Sequence, residues 1–297
     1  MLVSTTSKQS LGVALMVFAM LAIPISDGYI KLLSSYYPVL LLNWFRFLIG
    51  GIIFVPTALW MLKQHQLRSS QVAALSGRTV LHVLAISLYF LAIAEIPIAD
   101  ALGAYFIAPI VGIVLAAGLL GERLSRTPSA AVMIGFIGAI TIVQPGATME
   151  IEVLYAVAAG IVFGCFLVLT RTTAQEIPPL ITIGFQCGLG SLLLLPVAFI
   201  FWIPVRWSDG LLLCAISCVW AVAHLAAIYA FKYATTNVLA PIVYFEMAGG
   251  AAVGYILFGD MPTGLTLVGI AMVIYAGILV QKSLSDNTHT PRPTVSK

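Results

Sequence analysis

The chain has very few charged residues. Asp, Glu, Lys and Arg make up 8% of its 297 residues, whereas 61% are hydrophobic. A water-soluble domain of this length needs far more polar surface. The formal net charge is only +3, and no basic patch is interleaved with aromatic residues, which excludes the footprint of a nucleic-acid-binding protein. The composition therefore places the chain in a lipid bilayer.

The sequence also lacks the groups that carry most enzyme chemistry. Its four cysteines, Cys165, Cys187, Cys214 and Cys218, lie in apolar stretches without a CxxC spacing or clustered histidines. No ATP-binding loop is present, and the longest internal connection, around residues 63–78, is too short for an extramembrane catalytic domain. We therefore expect no metal, no cofactor and no enzymatic activity, and we expect the cysteines to be packing residues.

Long apolar runs are what the chain has in abundance. A run of about 18–25 apolar residues can cross roughly 30 Å of hydrocarbon as a helix. Ten such spans are predicted, near residues 11–33, 38–61, 79–96, 101–120, 128–144, 152–170, 180–203, 211–231, 238–259 and 264–281. The expected fold class is an all-α polytopic membrane protein with ten transmembrane helices.

The ten spans repeat one five-span pattern. A shift of 140 positions lays Pro38, Phe45 and Gly50 on Pro178, Phe185 and Gly190, and a shift of 138 lays Gly121 on Gly259. Because five is odd, the second copy must enter the bilayer from the opposite side, which is typical of inverted-repeat transporters. The predicted organisation is an N-terminal cytoplasmic stretch at 1–10, repeats at 11–146 and 147–282, and a disordered cytoplasmic tail at 283–297.

Lysine and arginine predict the orientation of these spans. The N-terminus and the even-numbered connections share eleven Lys and Arg residues, Arg78 among them, whereas the other side has only Lys31 and Arg206. Cytoplasmic loops hold an excess of these residues. Both termini are therefore expected in the cytoplasm, with the protein in the cell inner membrane.

Glycines spaced four apart allow helix backbones to approach closely. Gly184 and Gly188 form one such pair, and Gly250 and Gly254 form another. The pairs indicate packing, either within one chain or across a homodimer, and the spacing leaves both open.

Charged residues inside a span are costly and each needs a partner, a cavity or a function. Asp27 and Arg46 lie at similar depths on the first two spans, so they can pair and hold a charged substrate or exchange a proton. The repeat places Leu167 and Gln186 at their equivalents, so the fold itself does not require either charge. The alternative is a structural pair between Asp27 and Lys31, one helical turn apart.

A second group of polar residues is predicted in the eighth and ninth spans. Glu246 and His224 lie at similar depth, where a carboxylate beside an imidazole could relay protons. The alternative for His224 is an ordinary buried hydrogen bond. Tyr105 and Tyr244 are candidate ligand contacts, because each lies near a proline or a charged residue in the same central region.

Two stretches carry a known pattern. The first, from Ile96 to Val143, contains Pro97, Ala101, Pro109 and Gly121-Glu122-Arg123-Leu124; the second, from Thr235 to Val280, contains Gly259-Asp260. Together they resemble the EamA domain of the drug/metabolite transporter superfamily. The resemblance implies a ten-helix inverted repeat that moves small organic metabolites by alternating access.

Within that superfamily, three features resemble the branch that contains S-adenosylmethionine and riboflavin carriers. They are Asp27 with Lys31, Arg46 after Phe45, and Ala240-Pro241 followed by Tyr244 and Glu246. The hypothesis is a secondary transporter of a small polar or zwitterionic metabolite, with Asp27, Arg46, Tyr105, His224, Tyr244 and Glu246 as substrate-binding residues. The alternatives are an exporter of amino acids, metallophores or drugs, a structural membrane subunit, and a membrane-embedded enzyme.

Overall fold

The computed structural model describes residues 2–96, 98–121, 126–143 and 151–259, together with short helical pieces between 264 and 279. The regular structure of the four long segments is α-helical throughout. Their helices, in chain order, are α1 (Leu2–Ser34), α2 (Val39–Leu62), α3 (Ser69–Glu95), α4 (Ile98–Tyr105), α5 (Ala108–Leu120), α6 (Arg126–Val143), α7 (Ile151–Glu176), α8 (Pro179–Ile200), α9 (Trp207–Tyr233), α10 (Thr236–Val243) and α11 (Phe245–Phe258).

Eight helical stretches in the described part of the chain are long and apolar enough to cross a membrane. This confirms the predicted all-helical, polytopic membrane protein. Shorter apolar helical stretches, Ser129–Gly138 and Leu267–Ala276, fall within the fifth and tenth predicted spans. The count of ten spans, and the orientation of the termini, remain predictions.

Helix α1 begins at Leu2, so residues 2–10, predicted as an N-terminal cytoplasmic stretch, are helical, and their cytoplasmic location remains a prediction. One predicted span boundary was wrong. Helix α3 begins at Ser69 and not near residue 79. Arg78, which the sequence assigned to a connection, therefore lies about 14 Å along α3, and its side chain is fully buried.

The packing of the two halves follows a twofold pattern. The most extensive helix contacts join α2 to α8, α1 to α9, and α3 to α7. A twofold axis that exchanges the two halves would superpose the α1–α9 pair on the α7–α3 pair. The same axis would map the α2–α8 pair onto itself. The backbone agrees, because Pro38 and Pro178 precede α2 and α8 with nearly the same ψ, 130° and 132°.

The fourth and ninth predicted spans are each broken into two helices. Helix α4 ends at Tyr105 and α5 begins at Ala108, while α10 and α11 meet at Tyr244. Pro109 has no N–H, so it leaves the carbonyl of Tyr105 without its helical donor. That carbonyl lies against Gly160 of α7, where any larger residue would overlap it. Discontinuous helices in the middle of a bundle are typical of transporter binding sites.

Glycines bring helices together within the chain. A Cβ on Gly184 would overlap Ala58 of α2, and one on Gly250 would overlap Leu102 of α4. Another on Gly135 would overlap the Tyr244 ring. Of the two alternatives left open above, packing within one chain therefore accounts for these glycines. Glu122 and Asp260, beside the glycines that end α5 and α11, lie outside the described residues.

The two ends of the bundle differ in charge. We call the end that carries Lys63, Arg68 and Lys232 the basic end, and the end that carries Tyr36 and Arg206 the opposite end. At the opposite end the hydroxyl of Tyr37 donates to Asp209 Oδ2 at 2.7 Å. At the basic end the amide of Gln175 donates to the carbonyl of Phe231 at 2.9 Å.

Candidate functional site

Asp27 of α1 and Arg46 of α2 form a buried ion pair. Arg46 Nη1 lies 3.0 Å from Asp27 Oδ1, and the two side chains are 0% and 2% exposed. Lys31 has other contacts: its Nζ donates to the carbonyls of Ile93 at 2.9 Å and Ile96 at 2.8 Å, at the C-terminus of α3. The structure therefore favours Arg46 over Lys31 as the partner of Asp27.

The Arg46 guanidinium lies between two aromatic rings. Its Cζ is 5.0 Å from the centroid of Phe90 and 4.9 Å from that of Trp220, within cation–π range. Arg46 Nη1 has Asp27 as its partner, whereas Nε and Nη2 are buried without a hydrogen-bond acceptor among the described residues. Tyr89 Oη and Trp220 Nε1 are also buried without a partner there. Buried polar atoms are rarely left unpaired, so several together indicate a place for a polar ligand or water.

Glu246 adds a second carboxylate to this region. It lies in the first turn of α11, directly after the break at Tyr244, and is 5% exposed. Its charge interacts with those of Asp27 and Arg46. Two buried carboxylates therefore lie within electrostatic range of one guanidinium, and a buried excess of negative charge calls for a cation or a proton. We refer to Asp27, Arg46 and Glu246 as the acidic cluster.

Tyr105 and Tyr244 have different surroundings. The Tyr105 ring packs against Tyr89, with centroids 5.2 Å apart, and its hydroxyl is within electrostatic range of Glu246. Tyr244 lies at the break in the ninth span, and its hydroxyl donates to the carbonyl of Phe106 at 3.4 Å. Tyr105 thus borders the acidic cluster, whereas Tyr244 connects the two broken helices.

The predicted pairing of Glu246 with His224 does not occur in this structure. The His224 ring packs instead against His82 and Trp220, with both centroid distances at 4.7 Å. No hydrogen bond or ion pair joins His224 to Glu246 in the part of the chain that the structure describes. Depth along a helix, which is what the sequence provides, does not specify the direction in which a side chain points. His224 borders the acidic cluster through Trp220, and its ring lies within electrostatic range of Arg46.

The acidic cluster is closed to solvent from both ends of the bundle. Asp27, Arg46 and Glu246 are between 0% and 5% exposed. A surface depression of about 480 Å³ at the opposite end is lined by Glu95, Glu152 and other residues but by none of the cluster. The structure therefore shows an occluded arrangement.

Sequence reasoning missed several polar residues of the interior. Arg78 is fully buried and donates to Thr170 Oγ1 at 2.9 Å and to Gln186 Oε1 at 2.6 Å. His82, one turn further along α3, is buried, and both its ring nitrogens lack a hydrogen-bond partner among the described residues. The spacing of Arg78 and His82, four apart on one face, was the available signal.

Comparison with known proteins identifies relatives over nearly the whole chain. The sequence profile of the EamA-like transporter family matches residues 10–144 and 150–281. The chain is 28% identical to the pseudopaline exporter CntI of Pseudomonas aeruginosa, over 92% of this chain and 96% of that protein. It is 23% identical to the S-adenosylmethionine uptake transporter of Rickettsia prowazekii, over 92% and 95%.

A solved structure supports the fold. One crystal structure matches with a TM-score of 0.73 at 20% identity, and the match covers 94% of this chain and 99% of the other. At this level of identity the likeness concerns the fold alone.

Proposed function

Because the chain belongs to the EamA-like transporter family, we propose that it is a secondary transporter for a small polar or zwitterionic metabolite that carries a cationic group. The acidic cluster binds that group. The solute crosses the membrane without chemical change.

The observation that carries this proposal is the charge balance of the acidic cluster. Asp27 already has Arg46 at 3.0 Å, so among the residues that the structure describes Glu246 is the carboxylate of this cluster without an ion-pair partner. A cationic group of a substrate compensates Glu246 when the site is occupied, and a proton does so when it is empty. Trp220 and Phe90, on the faces of Arg46, and Tyr105 supply aromatic surface for the body of the solute.

Two further features support movement by alternating access. The contacts between the halves follow a twofold pattern, and the broken spans meet beside the acidic cluster. We propose two inverted five-helix repeats, at 11–146 and 147–282, that rock against each other around this region. The excess of Lys and Arg at the basic end supports cytoplasmic termini in the cell inner membrane.

The relatives suggest solutes to test first. One is named for S-adenosylmethionine uptake and the other for pseudopaline export. S-adenosylmethionine carries a sulfonium cation and an amino-acid group, which fits the charge of the acidic cluster. Since the two relatives are named for opposite directions, direction is left open in the proposal.

The first experiment is a thermal-shift screen of the purified protein against S-adenosylmethionine, riboflavin, amino acids and opine-type metallophores. A ligand that binds the folded state raises its apparent stability. The solute that stabilises the protein is then used for uptake into proteoliposomes.

The decisive variant in that uptake assay is Asp27→Asn. We expect it to abolish flux when uptake is normalised to the amount of folded protein in the liposomes. Glu176→Gln, which neutralises an exposed carboxylate on α7, is the matched control and should retain flux. Unchanged uptake kinetics in Asp27→Asn would refute the assignment of the site.

A further inference from the structure

Arg78 is a buried cation whose polar contacts are all neutral. Its Nε and Nη1 donate to Thr170 and Gln186, and its Cζ lies 4.6 Å from the centroid of Phe166. Nη2 is buried without an acceptor among the described residues, and so is Nε2 of Gln186. Two neighbouring hydrogen-bond donors in the interior, on Arg78 and Gln186, therefore have no acceptor among the described residues.

The charge of Arg78 is also uncompensated. Arg46 has a carboxylate at 3.0 Å, whereas no ion pair involves Arg78 within the residues that the structure describes. A buried guanidinium without a counter-ion is strongly unfavourable, and intramembrane arginines pair or mark a substrate path. An anion at Nη2 would remove this cost.

A small cavity adjoins the guanidinium. It has a volume of about 20 Å³, lies between α1, α3, α7, α9 and α10, and is lined by Arg78, Thr170, His224 and apolar side chains such as Met20, Phe163 and Ile228. A water molecule needs roughly 10–15 Å³ of such volume, so one small polar group fits in this conformation. The apolar lining suits the hydrocarbon part of a larger solute when the helices separate.

The cavity and the acidic cluster are neighbouring but distinct, because His224 lines the cavity and packs on Trp220, whose ring lies against Arg46. Arg78 and Tyr89 are eleven residues apart on α3, which corresponds to about 16 Å along the helix axis. Arg78 also lies in the half of the bundle nearer the basic end.

The repeat explains why this region differs in charge from the acidic cluster. In the second repeat Gln186 and Leu167 occupy the positions equivalent to Arg46 and Asp27. Beside Gln186 the first repeat supplies a cation, Arg78, and among the described residues no carboxylate lines the cavity next to it.

We propose that Arg78 and Gln186 form a second small-molecule site, specific for a carboxylate attached to an apolar body. This inference rests on the proposed transport function. It adds a second binding site on the path of the solute, which prefers an anionic group where the acidic cluster prefers a cationic one. Arginine matches a carboxylate in shape and charge, which a single lysine ammonium does less well. A zwitterionic solute would meet the two sites in succession.

Binding of simple carboxylates tests this site without any measurement of flux. The purified protein is titrated with acetate, benzoate and phenylacetate and, in parallel, with the corresponding amides, while thermal unfolding is followed. We expect at least one carboxylate to stabilise the protein and its amide not to do so. Arg78→Gln should weaken that binding at least tenfold, and Arg78→Lys should weaken it less.

Two more variants separate this site from the rest of the protein. Ala227→Phe fills the cavity while leaving Arg78 in place, so it should also abolish carboxylate binding, even if Arg78→Gln proves too unstable to purify. Glu176→Gln, which lies outside both sites, should bind the carboxylate normally, and because this assay measures no flux, failure of the transport proposal would not mimic failure of this one. Equal binding of acid and amide, unchanged binding in Ala227→Phe, or no stabilisation by any of the three carboxylates would overturn the proposal. Inorganic phosphate that stabilises the protein where the carboxylates do not would overturn it as well.

Discussion

The ion pair between Asp27 and Arg46 has a neutral counterpart in the same chain, and this allows its contribution to be measured. The positions equivalent to Asp27 and Arg46 in the second repeat hold Leu167 and Gln186. The double substitution Asp27→Leu with Arg46→Gln therefore transfers side chains that the fold already accepts. Each single substitution instead leaves a buried charge without its partner.

The expected energies follow from the geometry. At 3.0 Å and an effective dielectric constant of about 20, the Coulomb attraction is at most about 5–6 kcal/mol. Removing either member of the pair costs about 3 kcal/mol, near the lower end of the usual range, because a lone Asp27 can take up a proton and a lone Arg46 still interacts with Glu246. With a loss of about 1–2 kcal/mol in the double variant, the coupling energy is roughly 4–5 kcal/mol.

The assay is unfolding of the parent, both single variants and the double variant in detergent micelles, followed by uptake into proteoliposomes. We expect the double variant to be more stable than either single variant and to have no flux. If the two single losses simply add in the double variant, the pair does not stabilise the fold. If the double variant transports normally, these charges do not bind the solute.

Two further predictions concern packing. Gly160→Ala would push a methyl group into the carbonyl of Tyr105 and should lower the free energy of unfolding by about 1–3 kcal/mol. Gly118→Ala, with open space around it, should be neutral or stabilise the protein by up to about 1 kcal/mol. Equal melting temperatures for the two variants would contradict this. Lys31 and Arg171, equivalent by the 140-residue shift, donate to the carbonyls of Ile93 and Phe231 at the ends of α3 and α9. Lys31→Met should therefore speed amide hydrogen exchange at the C-terminal end of α3 only, and Arg171→Met at the C-terminal end of α9 only. If either variant raised exchange equally at the ends of α3 and α9, the contacts would not be local.

Much of the fold was predictable because it depends on features that are local in sequence. Apolar runs identified the spans, and Pro38, Pro178, Gly121 and Gly259 marked helix ends where the structure has them. Similar depth on neighbouring helices and the cost of a lone buried charge limited the partner of Asp27 to Arg46 or Lys31, and the choice between them required the structure.

The rest depends on information that a single sequence does not contain. Arg78 looks like a loop cation in the sequence, because the apolar run begins just after it, yet helix α3 starts nine residues earlier. His224 and Glu246 share a depth but have different neighbours, since direction around each helix depends on packing. Tyr244 was predicted to contact the ligand, and its hydrogen bond to Phe106 arises from a break in another span.

The central claim, that the acidic cluster binds a cationic group, is tested most directly by the dissociation constant of the solute identified in the thermal-shift screen. Glu246→Gln retains the size of the side chain and removes the charge that Arg46 does not compensate. We predict that it weakens binding at least tenfold, while Glu176→Gln leaves the dissociation constant within twofold of the parent value. The same affinity in Glu246→Gln and the parent would contradict the claim.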